Sequence, residues 1–281
     1  MTYRELLRKG QIELTGMAEA KVDAMLLFEY VTGFDRMKLI TDGGLECSPD
    51  VEASYLSLIG KRKEHVPVQY IMGYTYFYGR RFYVTKDVLI PRFDTEILVS
   101  SALDCMDGRE KILDMCTGSG CIAITVALEK SNTCVIAADI SMAALEVAKA
   151  NASKLLADVT YVQSDLFEHI DGRYDMIISN PPYIESAVIE SLDPAVKDME
   201  PRLALDGGMD GLDIYRRLVF DATSHLEDDG ILILEIGYNQ GEALSALLTE
   251  NGFEDIEVIK DLAGLDRVVK GVYRRNRCLT D

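Results

Sequence analysis

From Arg92 onward, helix and strand signals alternate almost without interruption, and this alternation restricts the fold more than any other feature of the chain. Apolar residues at three- and four-residue spacing predict helices over 94–106, 120–130, 141–156, 211–226 and 240–252. Between them, short runs rich in Val, Ile and Ala predict strands over 111–116, 133–140, 159–165, 174–180 and 230–237. Two last strands, 253–260 and 267–273, are joined by the short "DLAGLD", which favours an antiparallel finish. Such a pattern predicts an α/β fold, a seven-stranded and mostly parallel sheet covered by helices on both faces.

The part before Arg92 reads differently. Helical spacing runs through 2–15, 17–33 and 48–67, with "SPD" as a start signal for the last of these and Pro67 as its stop. "YTYFYGRRFYV" then brings aromatic and β-branched residues around Gly79, which predicts a hairpin. The expected organisation is a helical domain over 1–72 for substrate docking, a hairpin linker over 73–91, and a ligand-binding domain over 92–281.

Charge and cysteine usage narrow the function class. With 29 basic against 47 acidic residues the net charge is −18, so most of the surface repels a phosphate backbone, and direct nucleic-acid binding is not expected. Six cysteines (Cys47, Cys105, Cys116, Cys121, Cys134, Cys278) form no C-x-x-C pair, which fits a reducing compartment. "MTYRELLRKG" has no apolar signal core, and runs such as "CIAITVAL" are too short to span a bilayer. A cytoplasmic, membrane-free monomer is expected.

In open α/β sheets, ligands bind beyond the carboxyl ends of the strands. The first of these ends opens into "LDMCTGSGCIA", where Gly118 and Gly120 allow close backbone approach at a helix start. The next ends carry Asp139, Asp165 and Asn180. "GSGCIA" with Asp139 also satisfies the dinucleotide spacing, so a dehydrogenase is a competing reading. Two features favour methyl transfer. Asp114 stands where an S-adenosylmethionine (SAM) site uses an acid to meet the methionine amino group, and "NPPY" at 180–183 supplies a rigid grip for a planar NH2 group.

"NPPYI" after a strand, preceded by "DMCTGSG", resembles the amino-methyltransferase branch of the class I SAM-dependent, Rossmann-like fold. "PVQYIMGYTYFYGRRFYVTKDVLIPRFDTE", "EPRLALDGGMDGLDIYRRL", "LILEIG" and "DLAGLDRVVKG" are more specifically similar to the release factor glutamine methyltransferase family, over roughly residues 1 to 275. The resemblance implies methylation of N5 of the glutamine in the Gly-Gly-Gln loop of class I peptide chain release factors, with SAM as methyl donor and S-adenosylhomocysteine as product. It implies Asn180, Pro181, Pro182 and Tyr183 as the catalytic grip. It implies a cofactor wall of Asp114, Cys116, Thr117, Gly118, Ser119, Gly120, Asp139, Ile140, Asp165, Leu166, Phe167 and Asn180. The alternatives are a glutamine methyltransferase for a ribosomal protein, a methyltransferase for an exocyclic amine of a base, and a SAM-binding module without catalysis.

The chain departs from the family pattern at three places. Cys116 replaces the glycine that opens the loop, which is tolerable at negative φ. "PRFDTE" substitutes Phe93 and Asp94, which bears on any role of Arg92, Thr95 or Glu96 near the ligand. Leu166 stands where an aromatic is common, followed by Phe167, so packing against adenine there is aliphatic unless Phe167 serves. His65, His169 and His225 have no second ligand at metal spacing, and no metal is expected. "DGGMDGLDIYRR" lacks the glutamate of a calcium loop and reads as a loop and helix start beside the site. "KRK" at 61–63 reads as a solvated helix end.

Overall fold

The computed structural model describes residues 1–108 and 110–275. Cys278 therefore lies outside the described residues. The chain divides into two compact units, Met1–Tyr74 with Asp193–Met199, and Thr75–Leu192 with Glu200 onward.

The first unit is helical. Its helix α1 (Tyr3–Glu13) opens with a capping box in which the Thr2 hydroxyl accepts from the Glu5 amide and the Glu5 carboxylate accepts from the Thr2 amide. Helix α2 (Ala20–Thr32) ends at Gly33, and α3 (Arg36–Asp42) is capped by Asp35. Helix α4 (Pro49–Lys63) starts at the Ser48 cap with proline in its first turn. Leu6, Leu14, Leu27, Phe28, Tyr55 and Ile59 fill the core, and the buried Tyr55 hydroxyl donates to the Ala24 carbonyl at 3.1 Å.

Two expectations fail in this unit. Pro67 does not end α4, which stops at Lys63; it caps the start of a further helix, α5 (Val68–Met72). Nor is "KRK" simply a solvated end, because Arg62 is buried and its Nε donates to the equally buried Asp23 at 2.6 Å. The helical period places Arg62 on the same face as Tyr55 and Ile59, so its neighbours in sequence say little about its environment.

The hairpin β1 (Tyr74–Phe77) and β2 (Arg80–Tyr83) comes next, with all of it after Tyr74 in the second unit. Tyr78 and Gly79 both have positive φ, as a tight two-residue hairpin turn requires. Helix α6 (Thr95–Asp104) precedes β3 (Lys111–Met115), α7 (Cys121–Glu129), β4 (Cys134–Asp139), α8 (Met142–Leu155), β5 (Thr160–Gln163) and β6 (Tyr174–Ser179). The short helix α9 (Ser186–Ile189) follows, and then α10 (Pro194–Lys197), which belongs to the first unit. Then come α11 (Asp213–His225), β7 (Leu226–Glu235), α12 (Gly241–Glu250), β8 (Phe253–Lys260) and β9 (Asp266–Tyr273).

Seven strands form one sheet in the order β5-β4-β3-β6-β7-β9-β8. The pairings among β3 to β7 are parallel, whereas β9 is antiparallel to both β7 and β8. Strand alternation divides the core between the two faces. Leu113, Ile177 and Leu232 pack with Tyr215, Leu218 and Leu244 from α11 and α12. Their neighbours Ile112, Ile178 and Ile233 pack with Leu98, Ile122 and Val126 from α6 and α7. Both faces of the central strands are thus covered, and their sequences are nearly continuous apolar runs.

Candidate active site

The strand order reverses between β3 and β6, and the crevice for a ligand in such a sheet lies at that switch. A cavity of about 220 Å³ is found there. Its wall takes Met115 to Ser119 from the loop after β3, Asp139 to Ser141 after β4, Ser164 to Leu166 after β5, and Asn180 and Pro182 after β6. Val88, Pro91, Arg92 and Thr95 close one side, and Leu203, Ile214 and Arg217 contribute from the later segments.

The loop after β3 is held by its own backbone and by two carboxylates. The Thr117 amide donates to the Ala138 carbonyl of β4 at 3.0 Å, and the Gly118 amide donates to Asp139 Oδ2 at 2.8 Å. Asp139 Oδ1 accepts from the Ser141 amide at 2.9 Å, so each oxygen retains a lone pair for a further donor such as a ribose hydroxyl. Asp114 is fully buried beneath the loop, where its Oδ2 accepts from the Thr117 hydroxyl at 2.5 Å and the Ala123 amide at 3.1 Å. Its Oδ1 has no hydrogen-bond partner. Asp165 lines the cavity and pairs with Arg217 at 2.9 Å.

Four expected residues sit differently from the sequence reading. Cys116 lines the cavity, but at φ +62°, so the condition of negative φ is not met; the cysteine takes a left-handed conformation that favours glycine. Phe167 faces the core and stacks on His225 with ring centroids 4.6 Å apart. The Ser164 hydroxyl donates to the Leu166 carbonyl and accepts from the His169 amide, a tight turn that puts Leu166, at φ +47°, on the cavity instead. Gly120 is not in the wall; it has φ +80°, and an added Cβ would lie 2.9 Å from Ile124 and 3.0 Å from Ala148. Its role is close packing of α7 against α8. Asp114 stands behind the loop and not at the surface of the cavity.

At the end of β6, Asn180 Nδ2 donates to Thr95 Oγ1 at 3.3 Å. Pro181 is buried, Pro182 lines the cavity, and the Tyr183 hydroxyl reaches Glu235 Oε1 at 3.4 Å. The "DGGMDGL" segment braces this corner, as its reading as a loop beside the site requires. The Gly207 amide donates to the Ile184 carbonyl at 2.9 Å, and the Ile184 amide donates to Leu205 at 3.0 Å. A Cβ on Gly207 would lie 2.8 Å from Tyr183 Cα, and one on Gly211 2.4 Å from the Tyr183 carbonyl oxygen. These approaches require glycine.

Three buried polar residues of the site escaped the sequence reading. Asn151 of α8 donates to the carbonyls of Ser119 and Tyr83 and accepts from the Tyr83 amide, tying the loop after β3 to β2. Glu200 accepts from the Ile90 amide at 3.1 Å and pairs with Arg92, which fixes the "VLIPR" strap. Glu235 ends β7 beneath Thr95 and Tyr183. The one signal was a single polar residue inside an apolar run, as in "ILILEIG". Among the described residues, no group of three or more His, Cys, Asp or Glu side chains is placed to hold a metal ion. Nor is any described helix long and apolar enough to cross a membrane.

Burial pushes the carboxyls of Asp114 and Glu235 up to about 7 and raises that of Asp139 as well. Each keeps its proton in the folded state at pH values where the unfolded chain has released it, so stability falls as pH rises from about 4 to about 7. Above that window the two fully buried charges cost on the order of 3 kcal/mol each. Denaturant unfolding of the second unit should therefore show a higher midpoint near pH ~5.5 than near pH ~8. The reverse order would contradict the buried, uncompensated state of these groups.

Comparison with known proteins places this geometry in context. The methyltransferase small domain matches residues 93–199, and the PrmC N-terminal domain matches residues 5–73. A release factor glutamine methyltransferase from Neisseria gonorrhoeae is 41% identical over 259 residues, covering 91% of this chain and 94% of the relative. One from Bacillus subtilis is 39% identical over 287 residues, covering 98% of this chain and 99% of the relative. Among solved structures, a methyltransferase from Pyrococcus furiosus aligns with a TM-score of 0.57 at 16% identity, over 77% of this chain and 100% of that one, which supports the fold.

Proposed function

The chain belongs to the release factor glutamine methyltransferase family, and from that premise we propose that it transfers a methyl group from SAM to N5 of the glutamine in the Gly-Gly-Gln loop of class I release factors. The observation that carries the reading is the setting of Asn180. Its side chain stands at the cavity wall with Nδ2 already engaged by Thr95, which leaves Oδ1 to accept a hydrogen from an incoming amide.

The cavity wall has the donor set that SAM needs. Asp139 offers lone pairs for the ribose hydroxyls, and Ile140 and Leu166 offer apolar faces for the adenine. The unpartnered Oδ1 of Asp114 offers an acceptor beneath the loop for the methionine amino group. When bound, SAM supplies an electrophilic methyl on a sulfonium.

An amide nitrogen is a weak nucleophile because its lone pair is delocalised into the carbonyl. With Asn180 Oδ1 and the Pro181 carbonyl accepting its two hydrogens, that nitrogen is held in one orientation and its electron density is raised. SAM held against Asp139, Ile140 and Leu166 would supply the methyl to that lone pair, and its sulfur would keep the electrons of the S–C bond. The surplus proton leaves from nitrogen afterwards to water. Tyr183 gives the amide plane a surface to lie on, and Pro181 and Pro182 keep the acceptors in place. Most of the rate gain is orientation at near-attack distance, with electrostatic help as positive charge develops on nitrogen.

Labelled methyl from SAM should appear on purified class I release factor and not on the same protein carrying Gln→Ala in its Gly-Gly-Gln loop. Equal labelling of both would overturn the proposal.

A further inference from the structure

The Pro181 carbonyl and the Tyr183 ring serve the substrate amide only if the backbone from Asn180 to Tyr183 holds one course. The two prolines fix their own φ, which leaves the peptide that follows Tyr183 as the soft point of the segment. Its N–H end is held, because the Ile184 amide donates to the Leu205 carbonyl at 3.0 Å. Its carbonyl end is held by a side chain that periodicity does not mark, Gln240 at the start of α12.

Gln240 is buried, and both hydrogens of its side-chain amide are committed. Nε2 donates to the Tyr183 carbonyl at 3.1 Å and to the Gly211 carbonyl at 3.2 Å. Oε1 accepts from the Gly237 amide at 2.8 Å, and the Gln240 backbone amide donates in turn to the Gly237 carbonyl at 3.0 Å. All three partners of the side chain are backbone groups whose donor and acceptor roles are fixed, so only one orientation of this amide satisfies them. A Cβ on Gly211 would lie 2.8 Å from Nε2 and one on Gly237 3.0 Å from Oε1, so both glycines leave room for it. The side chain thus joins the loop after β7 to the loop before α11 and to the loop after β6. The parallel register that sets Ser179 of β6 beside Leu234 of β7 brings the two strand-end loops together.

We propose that Gln240 is a positioning residue for methyl transfer, a bracket that fixes the Tyr183 carbonyl and with it the Pro181 acceptor and the Tyr183 ring. The inference rests on the proposed function and deepens it. Gln240 does not line the cavity and touches no reacting atom; it acts through Tyr183. The Tyr183 hydroxyl reaches Glu235 Oε1 at 3.4 Å, so one short segment, 235–240, holds that residue at both its ring and its carbonyl.

Gln240→Glu keeps the shape of the side chain and the bond from Gly237, but sets an oxygen against two carbonyls. With the wild-type protein active on release factor, this variant should lower kcat per SAM-binding site about 10- to 100-fold at pH ~8 and leave the Kd for SAM within about threefold. Counting sites by SAM titration removes misfolded protein from the comparison. A carboxyl so placed holds its proton more readily than in water and, once protonated, can donate to one of the two carbonyls. The ratio of variant to wild-type kcat should therefore rise at least about threefold between pH ~8 and pH ~6. Gln240→Met has no hydrogen to give at any pH, so its kcat should fall to a similar extent with a ratio that stays flat. Glu235 and Tyr183, Asp210, Asp213 and Arg216 around Gly211, and Asp266 beside Gly241 are the charged and titratable neighbours. Wild type and variants share them, so they cancel in the ratio.

Wild-type kcat per SAM-binding site in either variant, a flat ratio for Gln240→Glu, or a SAM affinity that falls in step with kcat would overturn the bracket. Wild-type protein that labels no release factor would instead overturn the proposed function, and the bracket with it.

Discussion

Replacing Asn180 with alanine lowers kcat on release factor by about 10²- to 10³-fold while the Kd for SAM changes less than about threefold. The asymmetry follows from geometry. The cavity wall is built from four strand ends, and the other three carry the loop after β3, Asp139 and Leu166, none of which touches the Asn180 side chain through a hydrogen bond. Asn180 Nδ2 is anchored to Thr95, and only its oxygen is left for a substrate. Removing that oxygen unpairs one hydrogen of the glutamine amide in a dry site and frees the nitrogen to rotate away from the attack line. Isothermal titration with SAM and single-turnover transfer separate the two quantities. Turnover equal to wild type would remove Asn180 from the chemistry, and a parallel loss of SAM affinity would assign it to the co-substrate.

In the helical unit, Asp23→Ala should destabilise folding by about 3–5 kcal/mol. Arg62 is buried, its Nε is committed to Asp23 at 2.6 Å, and its Nη1 has no hydrogen-bond partner. Without Asp23 the buried guanidinium has no anion facing it. The paired change Asp23→Leu with Arg62→Met should recover most of the loss, because buried ion pairs are often replaceable by apolar groups of similar volume. Denaturant unfolding of the full chain, followed in the helical unit, measures both. A cost below about 1 kcal/mol for the single change would show that water reaches Arg62.

The sheet was legible because burial on both faces leaves a plain record. Runs such as "KILDM" and "YDMIIS" are apolar almost throughout, and the strand ends carry Asp139, Asp165 and Asn180 where the ligand crevice lies. What periodicity does not record is contact between distant segments. Glu200 and Arg92 are 108 positions apart, and Asn151 and Tyr83 are 68 apart, yet each pair fixes a wall of the site. Arg62 shows the same limit in the helical unit, since a charged triplet gives no hint that its middle member turns inward to Asp23.

The site itself was only partly legible, for a reason of backbone geometry. Phe167 could serve the adenine only if the chain continued outward after Asp165. The turn at Leu166, with positive φ and a buried Ser164 hydroxyl tying its carbonyl, reverses the two side chains. Cys116 is similar: the loop keeps its left-handed turn although glycine is absent, a conformation that costs roughly 1–2 kcal/mol for a residue with a Cβ. Glu235 was hidden in another way, because one carboxylate at the end of an apolar strand marks a buried charge without saying which neighbour it serves.

The central claim is that the methyl group goes to a glutamine side-chain nitrogen. Tandem mass spectrometry of release factor after reaction with SAM locates it directly. A single methyl on the side-chain amide of the Gly-Gly-Gln glutamine is the predicted result, and a methyl on any other residue, with that glutamine unmodified, would contradict the account.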